Sequence, residues 1–257
     1  MKEFGLVSII TPSYNSAPFI AETIKAILNQ SYPYWELLIT DDRSNDNTIE
    51  IIKDFMKKDS RIKLFQLEKN CGAGVCRNRS IKEAKGKYIA FCDSDDYWMP
   101  QKLEKQINFM HENNYAFTYT SYKTCNESGL INGAIICKKK TSYQRIKKDN
   151  CIGCLTVIYD CTKLGKFYMP EIRKRQDWGL WIKLLNICQY AYGLQEPLAV
   201  YRLRTKSISH NKFSLLSHNI QIYKTVLGFS NLKSYLYFIF IFLPTYFSKK
   251  ISQLINH

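Results

Sequence analysis

Short, almost unbroken apolar runs alternate along the N-terminal part of the chain with stretches in which apolar positions recur every three or four residues. The runs LVSIIT (6–11), WELLIT (35–40), IKLFQL (62–67) and YIAFC (88–92) predict strands, the last buried on both faces as in the middle of a parallel sheet. Between them Ser16, Ala17 and Pro18 open a helix with Ile20, Ile24, Ile27 and Leu28 on one face. A second helix spans about 47–57 with Ile49, Ile52, Phe55 and Met56 inward, and a third runs from about Val75 to Ala84, closed by Lys85-Gly86. Strands and helices alternating at this spacing predict an α/β fold with a doubly wound, mostly parallel, Rossmann-like sheet.

Further on, Pro100 opens a helix carrying Leu103, Ile107 and Met110, and residues 115–121 and 154–159 predict strands, the second followed by a loop to Pro170. The stretch 126–150 is polar and lysine-rich, and is expected to be irregular or mobile. A helix to about Cys188 places Leu180, Leu184 and Ile187 on one face. Near the end, SYLYFIFIFLPTYFS (234–248) is uncharged and very apolar, between Lys233 and Lys249-Lys250. It is shorter than the ~20 residues that span a bilayer, and Pro244 interrupts it. Two readings stay open: an interfacial helix on anionic lipid, or a helix packed on the rest of the domain.

The length of 257 residues allows one substantial core with a small appendage, and 46% hydrophobic against 23% charged residues is the balance of a folded protein. The net charge of +15 is unevenly spread. After Glu196 no acid follows, while Arg202, Arg204, Lys206, Lys212, Lys224, Lys233, Lys249 and Lys250 do. Such a basic tail suits nucleic acid, an anionic membrane or a phosphorylated substrate. Nine cysteines without a visible secretory signal are expected to be reduced thiols in a cytosol. Cys151 and Cys154 form a CxxC, but no second pair at zinc-like spacing follows.

In a parallel sheet ligands bind beyond the carboxyl ends of the strands. Polar clusters fall there: Thr11 to Asn15, Asp41 to Ser44, and Asp93 to Asp96. Three carboxylates as close as Asp93, Asp95 and Asp96 repel one another, and a divalent cation such as Mg2+ or Mn2+ would compensate them while bridging to nucleotide phosphates. The alternative is a solvated acidic turn, and for Asp41-Asp42 a simple cap before a helix. Gly72-Ala73-Gly74 resembles the start of a dinucleotide fingerprint, but Arg77 stands where its third glycine belongs. Arg77 is either an ordinary surface arginine or a grip on a diphosphate. Asp177, after Arg173, Lys174 and Arg175, is either a helix cap or a general base, and Trp178 and Trp181 are candidates for an acceptor-binding wall.

Taken together, VSIITPSYN (7–15), WELLITDDRSNDNT (35–48), NCGAGVCRN (70–78), AKGKYIAFCDSDDYWMPQKLEKQ (84–106) and RQDWGLWIKLL (175–185) resemble the family 2 glycosyltransferases of GT-A fold, in the expected order over about residues 5–205. The resemblance implies a catalytic domain over 1–205, its nucleotide-binding part about 1–98 and its acceptor-binding part about 99–205, with a basic, partly apolar helical tail over 206–257. It implies a nucleotide pocket from Thr11, Pro12, Tyr14, Asp41, Asp42 and Arg77. Asp93-Ser94-Asp95 looks like the DxD motif, with Asp95 the metal ligand, Asp93 toward the ribose or the metal, and Asp96 near the donor sugar. Asp177 matches the family's base, although many members carry an acid where this chain has Gln176. The segment RLRTKSISHNK (202–212) resembles one that closes over the donor diphosphate, with His210 a candidate metal or phosphate contact.

The implied activity is inverting, Mn2+- or Mg2+-dependent transfer of one hexose from a UDP-sugar, glucose first and galactose second, with a β linkage formed. The implied acceptor is GlcNAc- or GalNAc-diphosphoundecaprenol in bacterial O-antigen or capsule assembly. The enzyme is expected in the cytoplasm, peripheral on the inner membrane through its tail, with no nucleic-acid partner. Two other classes remain as rivals. A basic nucleic-acid-binding protein leaves the strand-end carboxylates unexplained, since acids repel phosphates, and a sugar nucleotidyltransferase would release pyrophosphate instead of UDP.

Overall fold

The expected alternation builds one mixed sheet. A computed structural model describes residues 3–204 and 212–248 of the chain. Strands β1 (Val7–Ser13), β2 (Trp35–Asp41), β3 (Ile62–Gln66) and β4 (Tyr88–Phe91) alternate with helices α1 (Ile20–Leu28), α2 (Thr48–Met56) and α3 (Ala73–Glu83). Then come β5 (Tyr97–Trp98), α4 (Lys102–Glu112), β6 (Phe117–Cys125), β7 (Ile131–Ile135), β8 (Lys140–Ser142), α5 (Tyr143–Ile146), β9 (Ile158–Asp160) and α6 (Cys161–Leu164). Helix α7 (Gln176–Cys188), strand β10 (Tyr190–Arg202) and helices α8 (Lys212–Thr225) and α9 (Asn231–Tyr237) complete the order. The strands lie β3-β2-β1-β4-β9-β6-β10-β5, with β7 added to β6 and β8 to β10.

The apolar runs are unbroken because both sheet faces are covered. Val7, Ile9, Leu37, Ile39, Tyr88, Ala90 and Cys92 pack with α1, α2 and α4 on one face. The alternate residues Ile10, Leu38, Ile89 and Phe91 pack with α3, α7 and the C-terminal helices on the other. The one acid in these runs, Glu36, is buried at no cost in lone charge. It accepts hydrogen bonds from Ser8 Oγ at 2.8 Å and Lys85 N at 2.7 Å, and pairs with Lys63 at 2.8 Å.

Strand direction decides where the chemistry collects. β1, β2, β3 and β4 are mutually parallel. β9 runs against both β4 and β6, and β10 runs with β6. β6 and β10 therefore point the same way as β1, β2 and β4. The carboxyl ends at Ser13, Asp41, Phe91, Cys125 and Arg202 share one edge.

Three sequence expectations are corrected. The stretch 126–150 holds β7, β8 and α5 instead of an irregular loop, because β6 and β10 offer it free sheet edges. The strand expected over 154–159 is a 3₁₀ turn, Cys154–Thr156, followed by the short β9. The longest strands lie elsewhere: β6 runs on to Cys125, and β10 spans 13 residues although its apolar pattern is broken by Glu196 and Pro197. Pro197 falls within a register shift against β6, where a missing N–H is tolerated.

The C-terminal helices are docked on α7, with Ile222, Tyr223, Phe238 and Phe242 buried in the same cluster as Trp178. Pro244 does not end the last helix. A π-helical stretch, Phe238–Phe242, follows α9 and leads into helical residues 243–248, widening the turn just where proline cannot donate.

Lys102 is wholly buried, its ammonium bonded to Gln106 Oε1 at 2.6 Å and held 4.6 Å from the Trp98 ring centroid. Burial pulls its pKa down to about 7 from the usual 10.5. Between those values the unfolded chain holds a proton that the folded chain has lost, so stability rises with pH across this window. Buried thiols such as Cys76, Cys92 and Cys154, whose pKa burial raises, act in the opposite sense above about pH 8.5, so the test is the difference between two proteins. In urea titrations from pH 7 to 8.5 the unaltered chain should gain about 1–2 kcal/mol relative to Lys102→Met.

Candidate active site

The shared edge gathers most of the expected residues, and one buried arginine joins them. Gly72, at φ +90°, turns the chain into α3 in a conformation that side chains rarely adopt. From the second turn of that helix Arg77 enters the protein and is almost wholly buried. Its Nη2 lies 2.5 Å from Asp93 Oδ1 and its Nη1 lies 3.5 Å from Gln176 Oε1, while its Nε has no partner. Burial works against its charge, but Asp93, and further off Asp177, hold its pKa above the usual value. The surface-arginine reading of Arg77 is therefore wrong.

Gln176 completes the bridge. Its Nε2 donates to Ile172 O at 2.7 Å, and Gly74 in α3 packs directly on it. A Cβ at Gly74 would stand 2.8 Å from Gln176 Nε2, so a larger residue there would displace the Gln176 amide from its place beside Arg77. Asn78 adds a reciprocal pair to the Met169 backbone, at 2.7 and 3.0 Å, which fixes the loop leading into α7.

The nucleotide-side residues divide by role. Both oxygens of Asp42 accept backbone N–H groups at 2.7 Å, from Cys71 and Gly72, so Asp42 staples the loop ahead of α3. Asp41 caps its own turn through Ser44 N and Oγ, at 2.8 and 2.6 Å. Pro12 lies in β1 opposite Thr40, and Tyr14, just beyond the strand, is exposed. Thr11 Oγ1 and Ser13 Oγ are buried at this strand end with no hydrogen-bond partner, an uncommon state for buried hydroxyls.

The acidic turn beyond β4 is bracketed from two sides. Thr23 of α1 donates to the Ser94 and Asp96 carbonyls at 3.1 and 2.8 Å, and Ser16 Oγ meets Ser94 Oγ at 2.7 Å. From β10, Arg202 N donates to Asp96 Oδ1 at 2.9 Å and Arg202 Nε to Asp95 O at 3.0 Å, while its Nη2 pairs with Glu22. Arg204 Nη1 lies 3.2 Å from Asp95 Oδ2. Burial and then the Asp93 charge raise the pKa of Asp95, against the pull of Arg204. Burial and then Asp95 push Asp96 well above the ordinary carboxylate range.

Asp96 therefore faces inward, and the turn offers two half-open carboxylates, Asp93 and Asp95, in place of three. Among the described residues no three His, Cys, Asp or Glu side chains come together as a metal cage. A hard cation of the Mg2+ or Mn2+ kind takes one or two carboxylates and leaves its other positions to water and phosphates, so this donor set fits it. His210 lies outside the described residues.

Asp177 sits in the first turn of α7, and its Oδ2 accepts from Asn150 Nδ2 at 2.8 Å. The preceding Arg175 has a left-handed backbone, φ +65° and ψ +20°. Asn150 carried no signal in the sequence, since it ends the polar stretch expected to be irregular. The aromatic wall is a correction: Trp178 and Trp181 are fully buried. Trp178 Nε1 donates to Ile146 O at 2.6 Å, and Trp181 packs 5.5 Å from both Phe91 and Phe117. Both indoles anchor α7 to the sheet, because the helix turns that face into the core.

Comparisons with known proteins agree with this geometry. The family described as "Glycosyl transferase family 2" matches residues 8–191. TuaG of Bacillus subtilis (strain 168), described as a teichuronic acid biosynthesis glycosyltransferase, is 43% identical over 222 residues, covering 86% of this chain and 88% of its own. WfgD of Escherichia coli, a UDP-Glc:alpha-D-GlcNAc-diphosphoundecaprenol beta-1,3-glucosyltransferase, is 43% identical over 214 residues, 82% of each chain. In fold, S. aureus TarS 1-349 in complex with UDP-GlcNAc gives a TM-score of 0.69 at 22% identity, over 89% of this chain and 69% of that one.

Two substitutions separate the scaffold from the strained charge. Asp42→Ala orphans two backbone donors and should cost about 2 kcal/mol in thermal or urea unfolding. Asp96 has a folded pKa above its unfolded value, so its contribution to stability declines as pH rises through that interval. Asp96→Asn keeps an acceptor for Arg202 N and should raise the melting temperature at pH 7 in metal-free buffer; a lower one would contradict the assignment.

Proposed function

The chain belongs to glycosyl transferase family 2, with the GT-A fold, and from that premise we propose that it transfers one hexose from a UDP-sugar to a lipid-linked acceptor. Glucose is the first choice of donor sugar and galactose the second. The acceptor is GlcNAc or GalNAc on a polyprenyl diphosphate in bacterial surface-polysaccharide assembly, reached at the cytoplasmic face of the inner membrane. The observation that carries this is the bridge Asp93–Arg77–Gln176, which sets the acidic turn beside the start of α7 and its Asp177. Relatives 43% identical over most of the chain, one of them described as a UDP-glucose-dependent enzyme of a diphosphoundecaprenol acceptor, support the choice of donor and acceptor.

In this reading the division of labour follows the sheet, with the nucleotide on about 1–98, the acceptor on about 99–205, and the basic tail 206–257 apart. Thr11, with its unpartnered buried hydroxyl, Pro12, Tyr14, Asp41 and Asp42 border the nucleotide pocket. Arg77 supplies positive charge beside Asp93, and Asp96 holds the donor-side turn through Arg202. Asp95, with Asp93, would hold Mn2+ or Mg2+, which when bound supplies positive charge to the diphosphate leaving group. Asp177 takes the proton of the acceptor hydroxyl as that oxygen bonds to the anomeric carbon. The bond from that carbon to the diphosphate breaks on the opposite side, UDP leaves, and an α-linked donor gives a β-linked product. Asn150 holds the Asp177 carboxylate in one orientation, leaving its other oxygen for the proton. The basic charge is assigned to phosphorylated and lipid partners, not to nucleic acid.

Mass spectrometry of a synthetic GlcNAc-diphospholipid incubated with the protein, Mn2+ and each common UDP-sugar should show one hexose gained from one donor. Asp177→Asn should lower kcat by roughly 10²–10⁴ with donor binding intact, and Asn150→Ala by about tenfold. Transfer undiminished in Asp177→Asn would remove Asp177 as the base, and release of pyrophosphate would make the protein a nucleotidyltransferase.

A further inference from the structure

The last helical stretch, residues 231–248, is apolar on two opposite faces. Its inner stripe is Ser234, Phe238 and Phe242, buried against the domain. Phe242 lies 6.4 Å from the Trp178 ring, and Tyr237 lies 5.0 Å from Tyr223, which itself packs 5.8 Å from Trp178. The outer stripe is Leu232, Tyr235, Leu236, Ile239, Phe240 and Phe247, between 45% and 71% exposed. Leu232, Tyr235, Leu236, Ile239 and Phe240 recur at spacings of three and four and so form one strip along the helix, and Phe247 lies seven residues, about two turns, further on. Packing on the domain accounts for the inner stripe and leaves the outer one open.

Charge selects the occupant. Lys224 and Lys233 flank the strip near its start, Lys249 and Lys250 follow it in sequence, and no acid occurs after Glu196. A second copy of this face would bring like charges together, whereas an anionic lipid surface takes both the apolar strip and the cations. Tyr235, 51% exposed, adds an amphipathic ring of the kind typical of headgroup depth. Among the described residues no helix is long and apolar enough to cross a membrane, so the fitting geometry is a helix lying in the interface with its outer strip in the acyl boundary.

We propose that the outer face of residues 231–248 docks this protein onto an anionic lipid bilayer. The inner face of the same helix braces Trp178, the residue after Asp177, so docking sets the start of α7 at a fixed distance from the lipid surface. That consequence for catalysis rests on the lipid-linked acceptor proposed above; the docking itself rests on the helix alone.

The test uses the full chain with phosphatidylcholine vesicles, with and without phosphatidylglycerol. Binding should appear with the anionic lipid, weaken with added salt, and fall at least about tenfold in the double variant Leu236→Glu, Phe240→Glu. UDP binding should be unchanged in that variant, so a failure of docking is distinguishable from a failure of the donor site. A second variant guards against misfolding. The four native tryptophans are 2% exposed or less, so in Phe240→Trp the new indole alone faces solvent, and its emission should shift to the blue on anionic vesicles. Absence of vesicle binding by the unaltered protein, or binding undiminished by the double variant, would overturn the proposal. So would a concentration-dependent dimer that the double variant dissolves without any vesicle binding, which would make the strip an interface between copies.

Discussion

Arg77 carries a charge that cannot be given up, in a place almost without water. A guanidinium does not deprotonate in a protein, and an unpaired buried ion costs several kcal/mol. Asp93 at the end of β4 and the Gln176 amide at the start of α7 meet that requirement. The consequence reaches beyond the pair. One side chain on α3 locks the acidic turn to the helix that carries Asp177, and the two glycines Gly72 and Gly74 shape α3 so that it comes close enough to do so.

The acidic turn is the complementary constraint. With Asp93 committed to Arg77 and Asp96 turned inward to the Arg202 backbone N–H, the half-open carboxylate left for a ligand is Asp95, opposed by Arg204 at 3.2 Å. Burial and mutual repulsion raise the pKa of both Asp95 and Asp96. A site of this kind holds its carboxylates in place by backbone and hydroxyl contacts from α1 and β10, so the fold bears the repulsion and a bound cation would relieve it. The same logic explains Asp42, whose charge is spent on two backbone donors.

The parallel half of the fold was legible because β1, β2 and β4 are covered on both faces and so read as almost unbroken apolar runs. The strand ends were legible for the same reason: Asp41, Asp42, Asp93 and Asp96 stand out where such runs stop. β7, β8 and α5 were not legible: β7 and β8 hold to β6 and β10 by backbone pairing, β7 with all five residues exposed, and α5 is one turn that buries only Ile146. Asn150 was hidden with them. Trp178 and Trp181 misled for a different reason: the α7 pattern in sequence does not say which way its first turn faces, and tertiary packing placed both indoles in the core. The tail allowed two readings, packed or interfacial, and its helix has a face for each.

The claim that Arg77 and Asp93 form one coupled unit joining the turn to α7 is tested most directly by a double-mutant cycle in urea unfolding with Arg77→Met and Asp93→Asn. Asp93→Asn should destabilise by about 3 kcal/mol, since it leaves the Arg77 charge buried and alone, and Arg77→Met by less, since Asp93 is half-open. The double variant should lose much less than the sum, with a coupling of at least about 1.5 kcal/mol. Effects that add to within about 0.5 kcal/mol would contradict the account, because the two residues would then act independently.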